Sequence, residues 1–235
     1  MNESGKDIYT SGRYVRFFSP EDKKNPFRRL YRRKREDVLA FLDELSGELK
    51  VLDVGGGMGR ISNALAKKEN FQVFLGDLSV DMLKLARKNG QRGKLPSLIN
   101  LDAECLPLRE SSFQIVVGLD LFCHLRSCSH ALQEFRRVLR RDGILILDST
   151  NANPLWVIFY PRYLGINPLK WIKTVYLGGI LPGWERLIRH YGKSQFLAFL
   201  KDAGFQVEHL LNYGPWICPK WHLVIARKTK EKASS

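Results

Sequence analysis

Between Lys50 and Asp148, short apolar runs alternate with amphipathic stretches, and this alternation restricts the fold more than any other feature of the chain. Lys50–Val54 (KVLDV), Phe71–Gly76 (FQVFLG), Ser97–Leu101, Phe113–Gly118 (FQIVVG) and Gly143–Asp148 (GILILD) read as strands, most of them buried on both faces because apolar residues fill consecutive positions. A glycine cluster with a helix through about Lys68, a helix over Val80–Lys88 and another over Ser129–Arg140 separate them. Strands alternating with helices predict βαβ units and a parallel sheet. An amphipathic helix at Ser194–Ala203 then leads into two further strands, Phe205–Leu211 and His222–Arg227. Upstream, Leu30, Val38, Leu39, Phe41 and Leu42 form an apolar stripe on a helix expected over Pro20–Leu45, preceded by a loosely held arm.

The rhythm breaks between Asn151 and Gly192. This stretch is rich in aromatics (Trp156, Phe159, Tyr160, Tyr163, Trp171, Tyr176, Trp184, Tyr191), is divided by Pro154, Pro161, Pro168 and Pro182, and holds Glu185 as its single acid. It reads as a mostly helical insertion. The expected organisation is an N-terminal arm and helical cover at 1–45, a main domain over 46–150 and 193–228, and the insertion at 151–192.

A chain of 235 residues with 44% hydrophobic and 26% charged residues buries a core without disulfides, which excludes disordered, fibrous and disulfide-scaffold classes. Cys105, Cys123, Cys128 and Cys218 show no metal-binding spacing, so no metal is expected. The longest apolar runs, Leu155–Tyr160 and Phe196–Leu200, fall far short of the roughly 20 residues that span a bilayer. A reducing, cytoplasmic location is the default expectation. Charge is the unusual bulk property: 38 Lys and Arg against 24 acids give a net +14, with six basic residues in Arg28–Arg35 and another cluster from Arg227 to Lys232. Such a balance attracts nucleic acid, anionic lipid or acidic substrates, although a solvated helix face explains a charge run equally well.

Chemistry is concentrated at VLDVGGGMGR, Val51 to Arg60. A strand ends in Asp53, and glycines follow at 55, 56, 57 and 59 before a helix starts. Such glycines permit positive φ and close approach of a ligand to the backbone, and the helix behind them offers unpaired N–H groups. The dinucleotide pattern G-x-G-x-x-G/A fits poorly, because its last position falls on Arg60 or Ser62.

What the loop has instead is D-x-G-x-G-x-G, carried by Asp53, Gly55, Gly57 and Gly59. This resembles motif I of the class I S-adenosylmethionine-dependent methyltransferases. The likeness continues through GDLSVDML, LDAECLPL and FQIVVGLDLFCHL, and DAECLPL with its downstream HL is similar to the ubiquinone/menaquinone-type branch that methylates small molecules. It covers about residues 35–150. The resemblance implies a Rossmann-like, seven-stranded, mostly parallel sheet flanked by helices, with S-adenosyl-L-methionine as cofactor and S-adenosyl-L-homocysteine as product. It also implies that Asp77 holds the ribose hydroxyls and Leu78 packs on adenine. Asp102, with Ala103, receives the adenine amino group, and Leu119 touches the methionine portion. Carboxylates, as pure acceptors, suit hydroxyls, amines and a cationic sulfonium, and they repel a pyrophosphate.

Methyl transfer from a sulfonium needs mainly alignment, plus a base when the nucleophile must lose a proton. His124, just beyond the fourth strand, is the candidate base, with a half-buried structural histidine as the alternative; His190, Tyr160, Tyr163, Tyr176 and Tyr191 are further candidates. The insertion is expected to line an apolar acceptor pocket. The expected reaction is methylation of a small, largely apolar or aromatic acceptor: a quinone precursor, an aromatic metabolite or a lipid taken from an anionic membrane surface by the basic helix. RNA is the competing acceptor, and a non-catalytic partner subunit with the same fold is the competing class.

Overall fold

A computed structural model describes residues 27–90, 93–151, 189–217 and 219–229. The N-terminal arm, the insertion aromatics from Trp156 to Trp184, Cys218 and the chain beyond Thr229 lie outside the described residues.

Helix α1 (Arg28–Asp43) leads into β1 (Leu49–Val54), a short α2 (Ser62–Leu65) and β2 (Phe71–Asp77). Then follow α3 (Val80–Asn89), β3 (Ser97–Asn100), β4 (Phe113–Gly118), α4 (Cys128–Val138) and β5 (Leu139–Thr150). After the insertion come α5 (Lys193–Asp202), β6 (Phe205–Tyr213) and β7 (Trp221–Lys228). The strands form one seven-stranded sheet in the order β3-β2-β1-β4-β5-β7-β6. Pairing is parallel from β3 through β5, whereas β7 runs antiparallel to both β5 and β6. The Rossmann-like fold implied by the resemblance is therefore present.

Side-chain alternation along each strand divides the interior in two. Leu52, Val54, Val116, Leu145, Leu147, Val224 and Ala226 meet Leu132, Phe135 and Val138 of α4 and Phe196 and Leu200 of α5. Their neighbours Val51, Ile115, Val117, Ile144, Ile146, Leu223 and Ile225 face Leu30, Val38 and Leu42 of α1 and Leu65 of α2. Both faces of the central strands are dry, which is why they read as continuous apolar runs.

Local chemistry sets the helix ends. Ser79 caps α3 by accepting from Met82 N at 3.4 Å, with Asp81 in the first turn and Arg87 and Lys88 in the last, as the helix dipole favours. Ser127 caps α4 in the same way, accepting from His130 N at 3.3 Å. Most expected boundaries hold to within one or two residues, and two differ more. The helix after the glycines is regular only over Ser62–Leu65, because Ala64 N and Lys68 N close tighter turns onto Ile61 O and Leu65 O at 3.0 and 2.9 Å. Arg140 belongs to β5 rather than to the preceding helix. Leu139 pairs with Phe113 and Ile144 with Ile115, so residues 140–143 loop out between them, with Asp142 at φ 58°.

From β1 the chain winds outward through β2 to β3, then returns to lay β4 on the other side of β1. The reversal opens a crevice beyond the carboxyl ends of β1 and β4, where open α/β sheets bind their ligands.

Candidate active site

A cavity of about 920 Å³ fills that crevice, and its wall includes Asp53, Gly55, Gly57, Asp77, Leu78, Asp102, Ala103, Leu119 and His124. Of the nine cofactor-binding candidates and His124 named from the sequence, all but Gly59 thus converge on one space.

Asp53 closes β1 and is 3% exposed. Its Oδ2 accepts from Ser62 Oγ at 2.5 Å, and burial raises the carboxyl to about 6, with the charge of Asp77 adding to the shift. The loop turns back through Gly55 (φ 66°) and Gly57 (φ 54°), a region that side chains other than glycine enter only with strain. A Cβ on Gly55 would lie 2.8 Å from Leu121 Cδ1, but one on Gly57 would meet nothing within 4 Å. Gly57 is therefore the point where the backbone stands bare toward the cavity. Gly59 stands apart: it does not line the wall, and a Cβ there would crowd Asn63 and Ala86 at 2.9 and 3.0 Å. Its place is in the turn that starts α2, where its N donates to Gly56 O at 3.0 Å.

Asp77 ends β2 and ties the two motifs together, accepting from Gly57 N at 2.9 Å and from Ser79 N at 2.8 Å. Burial pushes its carboxyl above the usual range despite these donors. Asn100 Nδ2 donates to the carbonyls of Asp77 and Leu78 at 2.9 Å each, which fixes Leu78 at the wall. Asp102 accepts from Glu104 N at 3.1 Å, and Ala103 beside it is buried. Leu119 follows β4 and packs partly on the core under α1. His124 ends a short 3-10 turn, Phe122–His124, where burial lowers its imidazole to about 4 against the raising influence of Asp120. It is neutral at neutral pH.

Sequence reasoning missed a buried charge cluster on the same wall. Lys34, 1% exposed, donates from Nζ to Asp120 Oδ1 at 2.6 Å and to Asp148 Oδ2. Burial alone would lower the lysine, but the two carboxylates hold it above its ordinary value. Asp148, sharing one ammonium with Asp120 in a dry site, is raised to about 6 by burial. Asp148 Oδ1 also accepts from Asp120 N at 2.6 Å, holding that residue at φ 56°. The available signals were the four-residue spacing of Leu30, Lys34, Val38 and Leu42, and an acid, Asp120, two residues beyond the strand that ends at Gly118.

The basic stretch at the chain start is also part of the wall: Arg28, Arg29, Arg32 and Arg35 line the cavity, joined by Arg126 and Arg189. Arg189 is pinned through its N to Cys123 O at 2.7 Å and through Nη1 to Arg126 O at 2.6 Å. Tyr191, by contrast, is core: its ring packs on Phe122 at 5.2 Å and its hydroxyl lies 3.1 Å from Cys128 Sγ. His190 is exposed, and Tyr160, Tyr163 and Tyr176 lie outside the described residues. Cys123 and Cys128 are buried, with burial pushing the Cys123 thiol up to about 12, and no His, Cys, Asp and Glu group among the described residues has the makings of a metal site. No helix among the described residues is long and apolar enough to cross a membrane.

Three carboxylates and a bare glycine backbone form a site for hydroxyls, amines or a cation and a poor one for a pyrophosphate. Known proteins agree. Residues 52–147 match a family described as a methyltransferase domain. The chain is 32% identical over 157 residues to the ubiquinone/menaquinone biosynthesis C-methyltransferase of Paraburkholderia xenovorans, covering 63% of this chain and 58% of that protein, little more than half the relative's length. It is 30% identical over 185 residues to the demethylmenaquinone methyltransferase of Thermotoga maritima, covering 74% and 76% of the two chains. Its fold superposes on magnesium protoporphyrin IX methyltransferase from Synechocystis, solved with S-adenosylhomocysteine bound, with a TM-score of 0.71 at 20% identity, covering 95% and 98%. By sequence and by fold, the chain belongs to the class I S-adenosylmethionine-dependent methyltransferases, in the ubiquinone/menaquinone-type branch.

Proposed function

We propose that the chain moves a methyl group from S-adenosylmethionine directly to an O, N or C atom of a small, largely apolar or aromatic acceptor. The observation that carries this reading is the convergence of Asp53, Asp77, Asp102 and the bare Gly57 backbone on one cavity at the topological switch point. Quinone precursors lead the acceptor classes, because one relative is named for ubiquinone/menaquinone biosynthesis and the other for demethylmenaquinone.

The residues fit the cofactor by donor chemistry. Asp77, oriented by two backbone donors, presents acceptor lone pairs to ribose hydroxyls, and Leu78 offers an apolar surface to adenine. Asp102 with Ala103 receives the adenine amino group. Asp53 and the loop of Gly55 and Gly57 take the methionine end, with Leu119 against it, and Gly59 shapes the turn behind them. When bound, the cofactor supplies a methyl group already activated by its sulfonium. What remains for the protein is alignment, exclusion of water and removal of a proton where the acceptor carries one. His124, neutral at neutral pH, is the candidate to accept that proton, although the burial that keeps its ring neutral also makes it a weak base. Helix α1 covers the acceptor side.

The test is incubation with S-adenosylmethionine labelled in the methyl group, together with fractionated small-molecule and quinone-precursor extracts and, separately, total RNA. Label is expected in an organic-extractable small molecule. Label in RNA alone, or in no fraction although the cofactor binds, would overturn the acceptor class.

A further inference from the structure

We propose that Asp120 selects and orients a methyl acceptor that carries an O–H or N–H group. The carboxylate oxygen that the Lys34 cluster leaves open takes that hydrogen bond. The inference rests on the methyltransferase reading and adds to it a specificity residue and the hydrogen-bonding class of the acceptor.

Within the Lys34 cluster, three of the four carboxylate oxygens are occupied. Asp148 uses both of its own: Oδ2 accepts from Lys34 Nζ, and Oδ1 accepts from Asp120 N at 2.6 Å. Lys34 gives its ammonium to the two acids and lies over the rings of Trp221 and Tyr31, 4.9 and 5.3 Å from their centroids. Asp120 Oδ1 accepts from Lys34 Nζ at 2.6 Å, and its Oδ2 takes no hydrogen bond among the described residues. Exposure follows the same division. The Asp148 and Lys34 side chains are 1% and 2% exposed, whereas that of Asp120 is 28% exposed and lines the cavity. Two acids on one ammonium thus keep one acceptor to spare, and it belongs to the member that stands in the cavity wall. The backbone is held in a strained form to put it there. Asp120 sits at φ 56°, while Ser111 and Asp142, the other non-glycine residues with positive φ among those described, lie near the amino ends of β4 and β5 and outside the cavity wall. Such strain persists where the surroundings over-determine it, and it gathers at ligand sites. Leu119 and Leu121 line the cavity on either side of Asp120 in the chain, and its charge reaches the ring of His124 on the same wall. An acceptor without a donor would leave this oxygen desolvated and unpaired, so the site discriminates against it by what is lost.

The test is fluorescence titration of protein saturated with S-adenosylhomocysteine, using 1-naphthol and its methyl ether 1-methoxynaphthalene, which share an aromatic body and differ in the donor. 1-Naphthol is expected to bind about tenfold tighter, as a hydrogen bond to a charged group contributes. Asp120→Gly removes the carboxylate, glycine adopts φ 56° readily, and Lys34 keeps Asp148, so the fold is retained while the preference for 1-naphthol should fall to near parity. Asp120→Asn keeps a neutral acceptor in a backbone region that asparagine tolerates, and its preference should lie between the two. The affinities for S-adenosylhomocysteine and 1-methoxynaphthalene should stay unchanged in both variants. Equal binding of the two probes by the unaltered protein would overturn the proposal, as would no binding of 1-naphthol or a preference indifferent to both substitutions. A loss of S-adenosylhomocysteine affinity in the variants would overturn it too, by assigning Asp120 to the amino group of the cofactor. Failure of S-adenosylhomocysteine to bind the unaltered protein would instead remove the methyltransferase reading itself, which keeps the two failures separate.

Discussion

Burial holds the Asp53 carboxyl at about 6, so its charge is lost as pH falls through that value, well above where an exposed aspartate titrates. On the proposed assignment the ionised form receives the methionine end of the cofactor. Affinity for S-adenosylhomocysteine should therefore fall as pH drops from 7.5 to 5, with an inflection near 6, and calorimetry on Asp53→Asn should show weak binding without that inflection. The glycines separate strain from space. Gly57→Ala places a side chain at φ 54° with open room around it, so urea unfolding should show a loss of about 1–2 kcal/mol. Gly55→Ala adds a collision with Leu121 at 2.8 Å to the same strain and should cost more. Binding, in contrast, should suffer more at Gly57, where the backbone meets the cavity. For His124→Ala the expected result is lower turnover at unchanged cofactor affinity. Unchanged turnover would return His124 to structure.

Helix α1 is anchored by apolar residues and by one buried cation. Lys34 joins it to the ends of β4 and β5, and Tyr213 Oη donates to Asp37 Oδ2 at 2.8 Å as a second polar tie. Lys34→Met removes the ammonium that Asp120 and Asp148 share, and breaking a buried pair in this way costs about 3–5 kcal/mol. The sign with pH follows from Asp148, whose burial penalty exists only while it is charged. The variant's deficit in urea unfolding should be largest at high pH and shrink as pH falls toward about 6, because without the lysine Asp148 takes up its proton at a higher pH than the value of about 6 it has in the intact cluster. This cluster was not legible in the sequence, because its members lie 86 and 114 residues apart and meet only after the sheet has formed. The central strands were legible for the opposite reason. Dry on both faces, they carry their burial in consecutive residues such as Ile144 to Leu147. Where a local bulge intervenes, as at residues 140–143, the boundary was misplaced.

At the scale of the whole molecule, the sheet order places the ends of β1, β2 and β4 around one crevice, so acids that are locally unremarkable become a site. Each of those acids was readable because it lies at or within two residues of the carboxyl end of a strand, a feature visible within a few residues. The arginines of α1 were visible as a charge run but not as a wall, since their direction depends on how α1 packs on the sheet. A ligand that binds only the folded chain stabilises it by mass action, by about 2.7 kcal/mol at a hundredfold excess over its dissociation constant. S-Adenosylhomocysteine should accordingly raise the thermal midpoint in a concentration-dependent way. The most direct check on the central claim is calorimetric titration of the purified protein with S-adenosylhomocysteine, with NADH as the control. Micromolar binding of S-adenosylhomocysteine alone is the predicted result. Binding of NADH, or of neither ligand, would contradict the reading of the loop from Asp53 to Gly59 as a methyltransferase cofactor site.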